Sequence, residues 1–308
     1  MPRKIYTHVH PDLDACASVW AVRKFVSGYM DAEVVFVPAN WDGEGMEDDA
    51  IAVDIEAGGK GFKGMREANG VTHSGFMGIL KDYADDRSRQ AMRALSMYID
   101  YHDSKGTTQE YFHCNAQAAS RFDAVSIKTV FKGLATVGLS DQQLMNQMCL
   151  IFEGIYNNRM DWLDSVDQAE HAKIVTSGKT RVAVVLNSKG AASTNAVLRT
   201  QNVSAVVFQQ DNNLGAIRER TLEDATLDHP LVRGLVSGEA DEWFFHTAGF
   251  LAARGTTKAP VTTAPSKVDP FDLAHAVAHA LEDQRIQAEE ARPTAQNRPV
   301  LERRQASA

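Results

Sequence analysis

Over its first half the chain alternates apolar, β-branched runs with segments of helical spacing, and this alternation restricts the fold to a parallel sheet with helical crossovers. Residues 4–9 read as a strand, 15–26 as a helix, 33–38 as a second strand and 49–55 as a third. Helical patterns follow at 75–84 and at 87–101, the latter with Met92, Leu95, Tyr98 and Ile99 on one face. Another spans 140–159 and is entered through Ser140, a good N-cap. A second unit begins near Ser177-Gly178, with buried strands at 181–186 and 204–209 around a short helix at 193–200. Further strands at 242–245 and 249–253 surround His246. The Pro- and Thr-rich stretch 258–269 reads as a linker, and Pro270 then occupies the first position of a helix. That helix carries Phe271, Ala274, Val277, Ala278 and Leu281 on one face, and the residues from about 289 onward read as a polar, disordered tail.

The expected fold is therefore α/β. A doubly wound, mostly parallel sheet lies in residues 1–165 and a second, smaller α/β domain in 177–262; linker, C-terminal helix and tail take up 263–308. A 308-residue chain that is 44% hydrophobic and 23% charged is ordinary for a soluble two-domain protein. Its net charge of −8 argues against broad, non-specific binding to nucleic acid. An acidic protein that handles an anionic substrate needs metal ions or clustered Arg and Lys to offset its own field. No apolar run approaches a membrane span and no signal peptide precedes the first strand. Three widely spaced cysteines, Cys16, Cys114 and Cys149, form no disulfide framework, which fits a cytoplasmic location.

The chemistry concentrates in the turn after the first strand, His8-Val9-His10-Pro11-Asp12-Leu13-Asp14. Open α/β sheets hold their ligands at the carboxyl ends of their strands. Divalent cations take carboxylate oxygens, and a neutral imidazole suits manganese, iron or zinc. His8, Asp12 and Asp14 thus make half of a metal site. The plainer reading is that Asp14 caps the helix starting at Ala15 and that the turn is simply solvated. Downstream, Asp54 ends the third strand, His73 sits in a turn before a helix, and Asp100 and Asp103 end another helix. Taken singly, each has an ordinary structural explanation; their order along the chain carries more weight.

On these residues the chain resembles the DHH phosphoesterase superfamily, which includes RecJ-type exonucleases, family II inorganic pyrophosphatases and oligonucleotide or cyclic-dinucleotide phosphodiesterases. His8, Asp12 and Asp14 match the His-x-x-Pro-Asp-x-Asp-Ala form of its first motif. Asp54 is similar to the second-motif aspartate, and Asp100, or else Asp103, to that of the fourth. Thr72-His73-Ser74 stands where the Asp-His-His triplet is expected and keeps only the central histidine. The spacing is also similar to the MYG-type branch of exonuclease-like proteins. The Gly-Gly-Gly-His motif of many relatives is replaced by Phe245-His246-Thr247-Ala248-Gly249-Phe250. Just beyond it, Arg254-Gly255-Thr256-Thr257-Lys258 combines two cations, a glycine and two hydroxyls, a plausible phosphate cradle by its chemistry alone.

The resemblance implies two Mn²⁺ or Mg²⁺ ions roughly 3.5–4 Å apart that activate water for attack on phosphorus. Asp12, Asp14, Asp54, His73 and Asp100 would be ligands, with His8 completing one shell and Asp103 as the alternative to Asp100. His10 and His102 would serve as outer-shell groups or proton donors. Ser74 offers a hydroxyl to substrate, while Arg254, Lys258, Thr256 and His246 would meet its phosphate. Residues 58–64, rich in Gly and Lys, lack P-loop spacing and read as a lid that brings Lys60 or Lys63 to substrate. Asn187-Ser188-Lys189-Gly190 reads equally as a substrate contact or a plain turn, and Cys114 beside His113 as structural. The function expected is hydrolysis of a phosphodiester or phosphomonoester of a nucleotide, cyclic dinucleotide or short oligonucleotide. The alternatives are an inorganic pyrophosphatase and a catalytically weak metal-containing protein that senses a phosphorylated ligand. Partners expected are the small phosphorylated substrate or short oligonucleotide, no membrane, and a possible second copy of the chain.

Overall fold

The computed structural model describes residues 2–63, 73–104, 106–188, 191–222, 224–255, 261 and 264–291. The chain divides into two compact units, Met1–Met160 and Asp161–Ala308. Both are mixed α/β, and no helix among the described residues is long and apolar enough to cross a membrane.

In the first unit β1 (Lys4–His8) leads into α1 (Leu13–Phe25), β2 (Glu33–Val37), β3 (Ile51–Val53) and the two-residue β4 (Gly61–Phe62). The strands form a parallel sheet in the order β2-β1-β3-β4. Side chains alternate across it as the pleat requires. Ile5, Val34 and Val53 face a core built with α1, while Tyr6, Ala52, Val35 and Val37 face the connection between β2 and β3. That connection covers its face with Trp41, which stacks on Tyr6 at 4.7 Å, and with Met46. The helical side is completed by α2 (Gly75–Tyr83), α3 (Asp86–Ser104) and, after the short helices α4 (Thr108–Tyr111), α5 (Ala116–Ala124) and α6 (Ile127–Thr136), by α7 (Asp141–Glu170).

Ser140 caps α7 as expected. Its hydroxyl accepts from Gln143 N–H and the Gln143 side chain accepts from Ser140 N–H, a capping box. The helix runs well beyond the expected end at residue 159 because no Gly or Pro interrupts 160–170.

The glycine-rich stretch is not wholly a lid. Gly61 and Phe62 add β4 beside β3, and Gly61 turns so tightly that a Cβ there would lie 1.9 Å from the Ile55 carbonyl oxygen. The glycines serve a short parallel connection, and Lys60 is exposed at its outer edge.

The second unit holds β5 (Lys173–Ser177), β6 (Thr180–Val185), α8 (Ala191–Thr200), β7 (Ala205–Gln210), β8 (Asn213–Arg218), α9 (Pro230–Leu235), β9 (Trp243–Phe245), β10 (Leu251–Arg254) and α10 (Pro270–Glu290). The sheet order is β5-β6-β7-β8-β10-β9, and among the described residues only β6 and β7 pair in parallel there. Ser177-Gly178 is the hairpin turn between β5 and β6, so the sheet begins ahead of it. A Cβ on Gly178 would lie 2.0 Å from Glu282 Oε1. That carboxylate of α10 accepts from Thr180 Oγ1 and Lys179 N–H. With Leu273, Val277 and Leu281 buried against β6 and β7, it holds α10 on this sheet. Pro270 starts α10 where the sequence places it, and Asp269, the last residue of the expected linker, is its N-cap.

Candidate metal centre

Parallel pairing of Ile5 with Ile51 and Tyr6 with Ala52 puts His8 and Asp54 side by side, each at the carboxyl end of its strand. His8 Nε2 lies 3.1 Å from Asp54 Oδ2. The chain leaves β1 through Val9-His10-Pro11, with His10 in left-handed backbone (φ 52°), and re-enters helix at Asp12. Asp12 is the N-cap of α1 and accepts from Ala15 N–H at 2.9 Å. The ordinary reading of Asp14 as cap is therefore wrong by two residues. Capping fixes Asp12 through one oxygen and leaves the other open toward His8 and Asp54. Ligand atoms of His8, Asp12 and Asp54 lie within 4.8 Å of one another, and Asp12 keeps an open face to solvent. Asp54 is held at φ 54° with its N–H on the Phe62 carbonyl. Left-handed backbone at a non-glycine residue is a strained feature that clusters at functional sites.

Asp14, Asp100 and His73 come together at the start of α2. Asp14 is buried in the first turn of α1, and its two oxygens accept from Gly75 N–H (2.8 Å) and Phe76 N–H (3.1 Å). Asp100 accepts from Ser74 N–H at 2.7 Å and lies 3.4 Å from His73 Nδ1. Gly75 is required here, because a Cβ would lie 2.7 Å from the Phe62 carbonyl oxygen and 3.3 Å from Asp14 Oδ2. Two acids expected as ligands thus tie down the amino end of α2, where orphan N–H groups and the helix dipole favour negative charge.

The electrostatics are those of anions crowded without enough cations. Burial, then the charges of Asp54, Asp12 and Asp100, push the Asp103 carboxyl up to about 6, and Lys63 partly offsets them. Burial and then Asp54 also raise Asp12, and raise Asp14 well above the usual carboxylate range. His8 moves the other way in charge: its hydrogen bond to Asp54 raises its pKa to about 9. Its Nδ1 lies 2.9 Å from the Val9 carbonyl, which can only accept, so the Nδ1 proton is fixed and Nε2 is the atom that faces the acids. The proton on Nε2 sits where a cation would offset the same carboxylates. Two carboxylates and one oriented imidazole fit a divalent ion of the manganese, iron or zinc type.

Several nominated residues are committed elsewhere. His10 is exposed, with its N–H donating to Asp141 and its ring 3.6 Å from that carboxylate. His102 packs on Tyr98 at 4.3 Å and contacts the Gly106 carbonyl, Thr108 and Lys128; burial lowers its pKa. Ser74 is buried and its hydroxyl caps α2 by accepting from Met77 N–H, so it is not free for substrate. Arg254 does not face a phosphate: its guanidinium is 3% exposed. It pairs with Glu239 and Glu242 and donates to the Asn212 and Ala264 carbonyls. His246 Nδ1 accepts from Ala248 N–H and its ring stacks on Phe250 at 4.2 Å, which makes it a turn residue of the second unit. Thr256 and Lys258, like Thr72, Lys189, Gly190 and residues 292–308, lie outside the described residues.

Sequence reasoning missed the anchoring of α2 by Asp14 and Asp100, although Ser74 directly before a helical pattern was the signal for an N-terminus there. It also ranked Lys60 beside Lys63, whereas it is Lys63 whose charge acts on Asp103.

No protein-family model matches this chain. No curated protein matches it either. Among solved structures it is similar to an uncharacterized protein from Helicobacter pylori G27, at 9% identity and a TM-score of 0.24, covering 91% of this chain and 99% of that one. It is similar to the DHH domain of a member of a family of ribosomal proteins, at 11% identity and a TM-score of 0.30, covering 82% of each chain. It is also similar to exonuclease RecJ bound to manganese, at 8% identity and a TM-score of 0.29, covering 95% of this chain and 91% of that one.

Proposed function

We propose that this chain is a divalent-metal-dependent phosphoesterase that hydrolyses a phosphodiester or phosphomonoester of a nucleotide, cyclic dinucleotide or short oligonucleotide. The observation that carries this reading is the convergence of His8, Asp12 and Asp54 within 4.8 Å at the carboxyl ends of parallel strands. These three would hold the first ion. Asp103 and Asp100, with His73 beside Asp100, stand next to them as further oxygen and nitrogen donors. A bound ion would supply Lewis acidity toward water and toward a phosphoryl oxygen.

The chain's own residues supply orientation. The Val9 carbonyl sets the His8 tautomer, the α1 cap fixes Asp12, and the bond from Asp54 N–H to Phe62 fixes Asp54. With His10 and His102 engaged elsewhere, Asp103 is the acid beside the cluster that retains a proton up to about pH 6. A metal-containing binding protein is favoured by one observation: Ser74 and Arg254, both nominated for substrate, are buried, the first capping α2 and the second paired with Glu239 and Glu242.

The test is hydrolysis of bis-p-nitrophenyl phosphate and of a short RNA by purified protein in EDTA, Mn²⁺ or Mg²⁺, with calorimetric Mn²⁺ titration alongside. Metal-dependent turnover lost in Asp12→Ala and Asp54→Asn supports the enzyme. Mn²⁺ binding without turnover supports the binding protein, and absence of Mn²⁺ binding removes the metal centre altogether.

A further inference from the structure

We propose that the helical part of the first unit holds a second site, for a carboxylate ligand with an apolar body, independent of the metal centre. Between α3, α5 and α7 lies a cavity of about 420 Å³, within the range of small-molecule sites. Its walls are apolar and aromatic: Leu95, Phe112, Phe122, Val125, Ile127 and Ile155. The rings of Phe112 and Phe122 lie 4.7 Å apart. Phe112 is 43% exposed, Phe122 45% and Val125 82%, so apolar surface at the mouth remains uncovered.

The polar groups decide the ligand. Tyr98 lines the cavity and is only 8% exposed, yet its hydroxyl is buried with no hydrogen-bond partner. Arg159 lines it too, and its Nε is buried and likewise without a partner. Among the described residues no carboxylate pairs with Arg159. A buried polar group left unpaired costs about 1–3 kcal/mol, and more when charged, so two of them on one cavity wall call for an acceptor. Arg Nε–H can only donate, and a tyrosine hydroxyl donates readily, so the complementary head group is an anion with acceptor oxygens. The aromatic walls then take its apolar portion, by stacking for an aryl acid or by plain burial for an alkyl one. A cationic ligand, which aromatic rings would otherwise welcome, is opposed by the guanidinium.

The test uses octanoate, decanoate and 4-phenylbutyrate as probes, with 1-octanol as the uncharged control, titrated calorimetrically into full-length protein in EDTA. Three variants accompany the wild type. Ala94→Phe fills the cavity from an exposed position on α3, Arg159→Gln removes the charge, and Asp54→Asn alters only the metal centre. The expected result is that the carboxylates bind at least tenfold more tightly than octanol. Ala94→Phe then abolishes binding, Arg159→Gln weakens the carboxylates roughly tenfold or more while leaving octanol alone, and Asp54→Asn has no effect. A preference for 4-phenylbutyrate over the alkyl acids identifies the natural ligand as aromatic; the reverse identifies it as aliphatic. Failure of every probe to bind overturns the proposal. So does binding indifferent to Ala94→Phe, or equal affinity for acids and alcohol. None of these outcomes bears on the phosphoesterase reading, because metal is absent throughout.

Discussion

Raising the pH from 6.5 to 9 in EDTA should remove a proton from His8 and with it part of the stability of the first unit. In the folded chain the imidazolium donates to Asp54 from Nε2, with Nδ1 on the Val9 carbonyl, and its pKa stands at about 9 against an ordinary 6.5. A folded-state pKa above the unfolded one means that the stabilisation is fully present below the unfolded value and is lost as pH rises through the folded one. At 1.36 kcal/mol per unit the shift is worth at most about 3.4 kcal/mol. Between pH 6.5 and 9 about 2.6 kcal/mol of this is lost, and both partners keep some solvent access (14% and 15% of the side chains), so roughly 2 kcal/mol is expected. Asp103 is half-ionised at about 6 and completes its ionisation within the lower part of this window, in the variant as in wild type, whereas Glu47 titrates near 2 and lies outside it. The buried Cys16 and half-buried Cys149 thiols are raised and weaken the fold toward pH 9, but they do so in any variant. Urea unfolding of wild type and His8→Gln across this range isolates the His8 contribution as the difference between the two pH profiles. Wild type should lose roughly 2 kcal/mol more than the variant. Parallel profiles would refute the pairing of His8 with Asp54. Mn²⁺ provides the mirror image. A cation must displace the Nε2 proton, so Mn²⁺ affinity should climb about tenfold per pH unit toward pH 9, with about one proton released per ion.

Asp54→Asn should keep the fold, since Asn tolerates left-handed backbone, while weakening Mn²⁺ binding at least tenfold by calorimetry; Asp54→Ala should cost about 1 kcal/mol more in stability. Asp14→Ala strips two backbone N–H groups at the start of α2 of their acceptor and should cost about 2–4 kcal/mol, read by urea unfolding, with Asp14→Asn recovering part of it. Arg254→Ala removes the cation between Glu239, which keeps its bonds from Ser266 and Lys267 N–H, and the partly exposed Glu242, and should lower stability by about 2–3 kcal/mol. Turnover per folded molecule should survive that change; a loss of turnover at a temperature where the variant is folded would return Arg254 to the substrate.

The fold class and the core of the candidate metal centre were legible in the sequence for separate reasons. Strand and helix periodicity is local, so β1, α1, β2, α2, α3 and α10 fall within a few residues of the expected ends. Acids and imidazoles at strand ends are local too, which is why His8, Asp12 and Asp54 could be named together. What escaped was weakly patterned or interrupted. β8 (Asn213–Arg218) carries a glycine in its centre and stands only because β7 and β10 flank it. The four-residue α4 is too short to show a period. The exception is α6, which carries Ile127, Phe131 and Leu134 on one face at helical spacing, a signal that was legible and went unread. Residues 58–62 look like a flexible glycine loop because the sequence does not say that their backbone returns to pair with β3.

By itself, then, the sequence determined the alternation of elements, the cap at Ser140, the start of the last helix at Pro270, and the chemical types available for a cation. Which of those groups would meet was decided only by tertiary structure. Pairing register aligned His8 with Asp54, and the crossing of α1 and α3 at the start of α2 drew Asp14 and Asp100 to backbone N–H groups. The fate of a charged side chain is set the same way. Arg254 is a plausible phosphate ligand in a string of residues, and an internal ion pair once β10 buries it beside Glu239 and Glu242. Burial raises the cost of leaving a charge unpaired, and burial is a property of what packs around a residue rather than of the residues that precede and follow it.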